Sequence, residues 1–310
     1  MALPATGNQI TMLQVRDFFG GTYSPITMSQ LGEEISITSG TTVLLSESFG
    51  GQPAPGTSLN SVTFDSVILD TSVNSPDTRS FVFSPSGTEL YTGEENSDDI
   101  IRYNLSTPFD LSTASFNSAV LDYNALSGLS VADSIQFKPD GTEVYVAGSG
   151  IVATYSLSTN YDISTASFVR ATDLNADLFN TAFGAVFSND GQTLYFCVNG
   201  RTVLQYFTLS TPFNTSTATY VGVTPEVTNN FATVINAKFI SNGDQLVTVS
   251  NSTDDVQLYD LATAYDATSG VSFNSSYSVT DSTNVRDVYV ANNKLFLLVF
   301  EDTEIRQYSV

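Results

Sequence analysis

The sequence predicts an all-β chain, and three observations carry that prediction. Four blocks join an apolar strand, a tight turn and a second apolar strand: "FVFSPSGTELYTG" from Phe81, "IQFKPDGTEVYVAG" from Ile135, "AVFSNDGQTLYFCV" from Ala185 and "AKFISNGDQLVTV" from Ala237. Their turn glycines, Gly87, Gly141, Gly191 and Gly243, lie 54, 50 and 52 residues apart. After a third strand, each block runs into one refrain: "LSTPFDLSTASF", "LSTNYDISTASF", "LSTPFNTSTATY" or "LATAYDATSGVSF". Four short strands repeated every fifty residues or so form a ring of radial blades, a β-propeller.

Each element follows in order. The glycines stand where the turn needs positive φ, and a fifth, weaker copy, "DVYVANNKLFLLV" from Asp287, puts Asn293 there, the next best residue for that backbone. Alternating apolar residues mark the third strands "DIIRYNL", "IVATYSL", "VLQYFTL", "VQLYDL" and "EIRQYSV" as half-buried. In the refrain, Pro108 or Pro212 sets a bend, and Asp110, Asp162, Asn214 and Asp266 cap the following N–H groups as Asx-turns. Phe109, Tyr161, Phe213 and Tyr265 are expected to pack beneath the sheet. A fourth strand such as "FNSAVLD" (Phe116–Asp122) completes each unit. The fifth unit lacks one, and "FDSVILD" (Phe64–Asp70) matches "FNSAVLD" closely, so an N-terminal strand is expected to close the five-bladed ring over residues 57–310.

Composition sets the exclusions. The chain of 310 residues has ten basic side chains, thirty-two acidic ones and no histidine, a formal net charge of −22. Such a surface repels nucleic acid, whose binding rests on Lys and Arg neutralising phosphates, and it repels anionic lipid as well. It favours a saline medium, where self-repulsion is screened. Without histidine no Ser–His–Asp triad, Cys–His pair or His/Cys zinc site can form. The single cysteine, Cys197, excludes an internal disulfide and reads as a small buried hydrophobe in "TLYFCVNG". No stretch has the ~20 consecutive apolar residues that span a bilayer, and "MALPATGNQITMLQ" lacks the features of a secretory signal. The expectation is a soluble chain without membrane insertion.

Residues 1–56 follow a different grammar. "ITMLQVRDFFGG" (Ile10–Gly21) and "ITMSQLG" (Ile26–Gly32) read as short helices with capping boxes at Thr11/Gln14 and Thr27/Gln30, stopped by Gly20 and Gly32. "TTVLLSESFGG" (Thr41–Gly51) is a poorer copy. Stubs this small bury little apolar surface alone. Ile10, Met12, Leu13, Val15, Phe18, Phe19, Ile26, Met28 and Leu31 therefore form a candidate partner-docking face.

Two resemblances follow from these motifs. The "FSPDGT-x-LY … LSTP-aromatic-D-x-STA" repeat resembles propeller proteins of marine bacteria and their phages, and loosely the YVTN-type propellers. "MALPATGNQITMLQVRDFFGG" with "PITMSQL" resembles the N-termini of tailed-phage virion proteins, with "RDFFGG" departing from their usual acidic "EFGG". The second resemblance implies a virion structural protein of tail or fibre or a knob-like decoration. It would be docked to other virion proteins through residues 1–56, homo-oligomeric within the particle, and would present its propeller to a host surface glycan or protein.

The turn-and-refrain face repeats, so recognition is expected on the opposite face, where the hairpins and blade links vary. Its tips place Glu94, Glu95, Asp98, Asp99, Asp254, Asp255, Glu301 and Asp302 as candidate ligand or cation loops. They have the oxygen donors that calcium takes but lack the Asp-x-Asp-x-Asp-Gly spacing of a dedicated calcium loop, so no cofactor is expected. The reading is of a protein that is not an enzyme. The alternatives are a glycan-processing enzyme with carboxylates such as Asp122, Asp173 and Asp287 in the central funnel, and a cellular propeller that only binds.

Overall fold

The computed structural model describes residues 57–229, 233–280 and 284–310. The helices expected before residue 57, and the docking residues Ile10 to Leu31 with them, lie outside the described residues.

Five four-stranded antiparallel sheets make a five-bladed β-propeller. Blade 1 is β2 (Thr78–Phe83), β3 (Glu89–Glu94), β4 (Asp99–Leu105) and β5 (Ala114–Asp122). Blade 2 is β6 (Ser134–Phe137), β7 (Glu143–Gly148), β8 (Ile151–Leu157) and β9 (Ala166–Asp173). Blade 3 is β10 (Ala182–Phe187), β11 (Thr193–Val198), β12 (Leu204–Leu209) and β13 (Ala218–Val223). Blade 4 is β14 (Asn236–Ile240), β15 (Gln245–Ser250), β16 (Asp255–Leu261) and β17 (Val271–Ser278). Blade 5 is β18 (Val285–Ala291), β19 (Lys294–Val299), β20 (Glu304–Ser309) and, outermost, β1 (Thr63–Asp70). The pairing of β1 with β20 runs from Thr63–Ser309 to Asp70–Glu304, with a bulge between Phe64 and Val67. Asp65 secures it, accepting from Gln307 Nε2 at 3.0 Å and Ser309 Oγ at 2.7 Å.

Apolar side chains on facing sheets form the core between blades. Aromatic pairs recur at the same junction position: Tyr91 with Phe137 and Tyr145 with Phe187, each at 4.7 Å between ring centroids, and Tyr195 with Phe239 at 5.5 Å. Cys197 is buried in β11, where burial raises its thiol well above the ordinary range, so it acts as a packing group.

The refrain has a specific geometry. Asp110, Asp162, Asn214 and Asp266 each accept, through the side chain, from the N–H two residues on, at 2.8–3.2 Å. The aromatic before each cap has positive φ: 56° at Phe109, 63° at Tyr161, 60° at Phe213 and 61° at Tyr265. That unusual backbone lays the ring over its own blade's turn glycine rather than beneath the sheet. A Cβ added to Gly87 would come within 2.3 Å of the Phe109 ring, and the other three glycines are overlaid in the same way. Glycine is therefore required twice, for positive φ and for the ring above it. Blade 5 has Asn293 at this position with φ 56°, and the residue that docks on it is Val310, which brings no ring.

Candidate active site

The inner strands β2, β6, β10, β14 and β18 surround the axis, and one buried ion pair lies among them. Lys238 stands where Val82, Gln136, Val186 and Val288 stand in other blades, and Asp287 stands where Phe81, Ile135, Ala185 and Ala237 do. Lys238 Nζ donates to Asp287 Oδ2 at 2.8 Å and to the Phe81 carbonyl at 2.7 Å. Asp287 also accepts from the N–H groups of Phe81 and Val288, both at 2.8 Å. Burial raises the Asp287 carboxyl and lowers the Lys238 ammonium, while each partner opposes that shift. The pair ties blades 1, 4 and 5 together across the axis, and Asp287 is fully buried. It is a structural bolt, so Asp287 is not a funnel carboxylate open to substrate.

Asp122 and Asp173, the other two funnel candidates, lie at the ends of outer strands. Asp122 Oδ1 accepts from the N–H groups of Asn124 at 3.1 Å and Ala125 at 2.9 Å, and Asp173 Oδ1 accepts from the Asn175 N–H at 2.9 Å. The three funnel carboxylates named from sequence do not converge.

The hairpin-tip acids are mostly braces. Glu94 is buried and accepts from the N–H groups of Asp77 and Ser97, each at 2.8 Å. Asp98 accepts from Asn124 Nδ2 at 2.6 Å, and burial raises Asp99. Asp254 accepts from the Val285 N–H at 3.1 Å, and Asp255 accepts from the Ser278 hydroxyl. Asp302 pairs with Arg306 at 2.8 Å, and Glu301, two residues outside β19, is also engaged. Among the described residues no three His, Cys, Asp or Glu side chains come together in a metal-holding group.

Glu95 is different, because it belongs to a charged cluster at the mouth of the axis, on the variable face. Arg79 on β2 pairs with Glu95, and its Nε lies 3.6 Å from Asp77. The Arg79 guanidinium stands 4.2 Å from the centroid of Phe300, in the β19–β20 hairpin. Arg286 on β18 stands 4.9 Å from that ring, so one phenyl carries two cations. Its Nε is buried without a hydrogen-bond partner among the described residues. Burial and the neighbouring Arg79 charge both lower the Arg286 guanidinium.

Asp133, just before β6, completes the cluster. Protein surrounds it closely, although it keeps some exposed surface. That burial pushes its carboxyl up to about 6, against the lowering effect of Arg79 and Arg286 and the Ser149 N–H; the Glu95 charge adds to the rise. Burial also raises Asp77. Two of the chain's ten basic residues thus converge with three carboxyls, one of which exchanges a proton near neutrality. Such a group serves as acid or base, and buried guanidiniums bind a substrate anion or a developing oxyanion.

Sequence reading named Glu95 but missed Arg79, Asp133, Arg286 and Phe300. A signal was present: arginine is scarce in this chain, and both arginines fall at the starts of inner strands.

No protein-family profile matches the chain, and no curated protein is similar to it in sequence. Among solved structures it is similar to a protein of Bacteroides uniformis named a 6-phosphogluconolactonase, at 19% identity over 65% of this chain and 55% of that one, with a TM-score of 0.42. The periplasmic gluconolactonase PpgL of Pseudomonas aeruginosa is 12% identical over 74% of this chain and 65% of that one, with a TM-score of 0.42. The β-propeller domain of Cps50 (Swd1) from Myceliophteria thermophila is 10% identical over 81% of this chain and all of that one, with a TM-score of 0.48. The chain spans a little over half the length of the Bacteroides protein. These likenesses concern fold, and no residue's role passes from them. They do correct one expectation: structures similar to this chain include two named as lactonases, so the reading of a chain that is not an enzyme is withdrawn.

Proposed function

We propose that this chain is a carbohydrate-processing propeller that hydrolyses a bond in an anionic sugar derivative at the mouth of its axis. The carrying observation is Asp133, a carboxyl pushed up to about 6 beside the guanidiniums of Arg79 and Arg286. Ionised, Asp133 takes a proton from an attacking water; protonated, it returns one to the leaving oxygen. Arg286, whose buried Nε has no partner among the described residues, is placed to hold the sugar's carboxylate or phosphate, or the oxyanion formed by water attack. Phe300 holds the two guanidiniums in place through its ring.

The test is hydrolysis by the purified chain of glucono-δ-lactone, its 6-phosphate and polygalacturonate, each against spontaneous breakdown. Turnover of at least one, lowered roughly 10²-fold or more in Asp133→Asn, is the expected result. No turnover of any, or turnover untouched by that substitution, overturns the reading.

We also infer that residues 1–56 dock the chain on a tailed-phage particle, with the propeller turned toward a host surface glycan. The support is the N-terminal text and its apolar residues, Ile10 to Leu31. Removing residues 1–50 should leave the particle without this protein, as read by immunoblot of purified particles; normal incorporation of the shortened chain would sink the docking role.

A further inference from the structure

At three of the five blade junctions a cation of one blade is received by the refrain of the next, and at the junction of blades 3 and 4 the refrain receives none from the described residues. Where blade 1 meets blade 2, Arg102 on β4 donates to Glu89 at 3.3 Å and to Asp162, in the blade 2 refrain, at 3.1 Å. Where blade 2 meets blade 3, Arg170 on β9 donates to the carbonyl of Phe213, in the blade 3 refrain, at 3.3 Å. Where blade 5 meets blade 1, Lys294 donates to the carbonyl of Phe109, in the blade 1 refrain, at 2.9 Å. In each case a cation of one blade is received by the refrain of the next.

At the junction of blades 3 and 4 no described residue supplies such a cation. Strand register places Tyr206 at the position of Arg102, each directly opposite the junction tyrosine, Tyr195 or Tyr91. The position of Arg170, opposite Thr154, is taken by Gly222, opposite Tyr206. The receiving groups are still there. Asp266 corresponds to Asp162, and Tyr195 Oη donates to the Tyr265 carbonyl at 3.2 Å, as Tyr91 Oη does to that of Tyr161. What remains is a groove of about 580 Å³ on the turn-and-refrain face. It is lined by Tyr195, Tyr206, Tyr265, Asp190 and Asp266, with no Lys or Arg among its lining residues. Asp190 spends Oδ1 on Ser188 and Gln192, and its Oδ2 accepts from no described residue.

We propose that the groove between blades 3 and 4 is a receptor for a basic side chain of a partner protein, seated where sister junctions hold their own arginine or lysine. Tyrosine faces and two carboxylates suit a guanidinium or ammonium, and the chain's net charge of −22 draws a basic segment toward it. The groove lies on the opposite face from the mouth of the axis, and its occupation is independent of chemistry there.

The probe is the peptide acetyl-Gly-Arg-Gly-amide, titrated into the full chain and followed by NMR or calorimetry, with maltotriose as the neutral comparison. Saturable peptide binding, weakened by added salt and absent for maltotriose, is expected. Tyr206→Arg supplies the missing plug from within and should abolish binding. Asp266→Asn should weaken it by about fivefold while keeping the fold, because Asn214 already performs the same cap in blade 3. A thermal melt of each variant confirms folding, and Asp133→Asn should bind the peptide like the native chain. The proposal is overturned by no peptide binding to the native chain, by equal binding to a folded Tyr206→Arg, or by tighter binding of maltotriose.

Discussion

Phe109 donates its backbone N–H to the Gly87 carbonyl at 2.9 Å and lays its ring over that same glycine. Tyr161 on Gly141, Phe213 on Gly191 and Tyr265 on Gly243 make the same bond, each at 2.9 Å, and Val310 makes it on Asn293 at 3.1 Å. The refrain and the turn, about twenty residues apart, are one locking device.

That device predicts a split among the five turns. Gly141→Ala meets the Tyr161 ring at 2.4 Å from a backbone with φ +72°, and should cost about 2–4 kcal/mol in urea unfolding. Asn293→Gly meets no ring and should change stability by less than about 0.5 kcal/mol.

The bolt on the axis predicts an asymmetric response. Asp287→Ala strands the Lys238 ammonium and two backbone N–H groups, and should cost about 3–5 kcal/mol. Lys238→Met removes the charge that holds the raised Asp287 carboxyl down. A carboxyl raised above its unfolded value gives stability at low pH and loses it as pH rises. Lys238→Met should therefore unfold more readily at pH 8 than at pH 5, measured by paired urea melts.

Asp133 carries the same sign. Its carboxyl goes from an ordinary 3.8 to about 6 on folding, so its contribution is full below about pH 4 and is lost as pH rises through 6. Asp133→Asn should be more stable than the native chain by about 1–3 kcal/mol at pH 7, a gain that fades toward pH 4. A gain independent of pH would show that the carboxyl is not raised.

Pairing of β1 with β20 predicts a liability. Without residues 57–70 the β20 edge has no partner, and its N–H and C=O groups invite another chain. Concentration-dependent association in light scattering, absent from the native chain, is expected.

Periodicity made the blades legible because every blade needs the same turn, bend and cap. Gly87, Asp110 and their copies recur for a local reason, and local reasons can be read along a chain. The stacking of Phe109 on Gly87 was harder to see, because a non-glycine aromatic at positive φ runs against backbone preference and is tolerated only where a cap and a ring contact enforce it. The mouth of the axis was hardest. Arg79, Asp133, Arg286 and Phe300 come from three different blades and meet only when the inner strands surround the axis. Repeat analysis highlights what recurs, and these residues do not. The Lys238 substitution in "AKFISNG" was visible as a charge in an apolar strand, but its partner Asp287 was 49 residues away.

Asp65 and Ser309, joined by a hydrogen bond, are 244 positions apart. On a ribosome, β1 therefore emerges first and waits without a neighbour while four complete blades are synthesised and folded locally. Only β20, the last strand of the fifth blade, can receive it, so ring closure waits on a single long-range capture. A stalled or prematurely terminated transcript would release a protein with two sticky borders, one at each end, and quality control would meet it as a substrate for proteolysis or clumping.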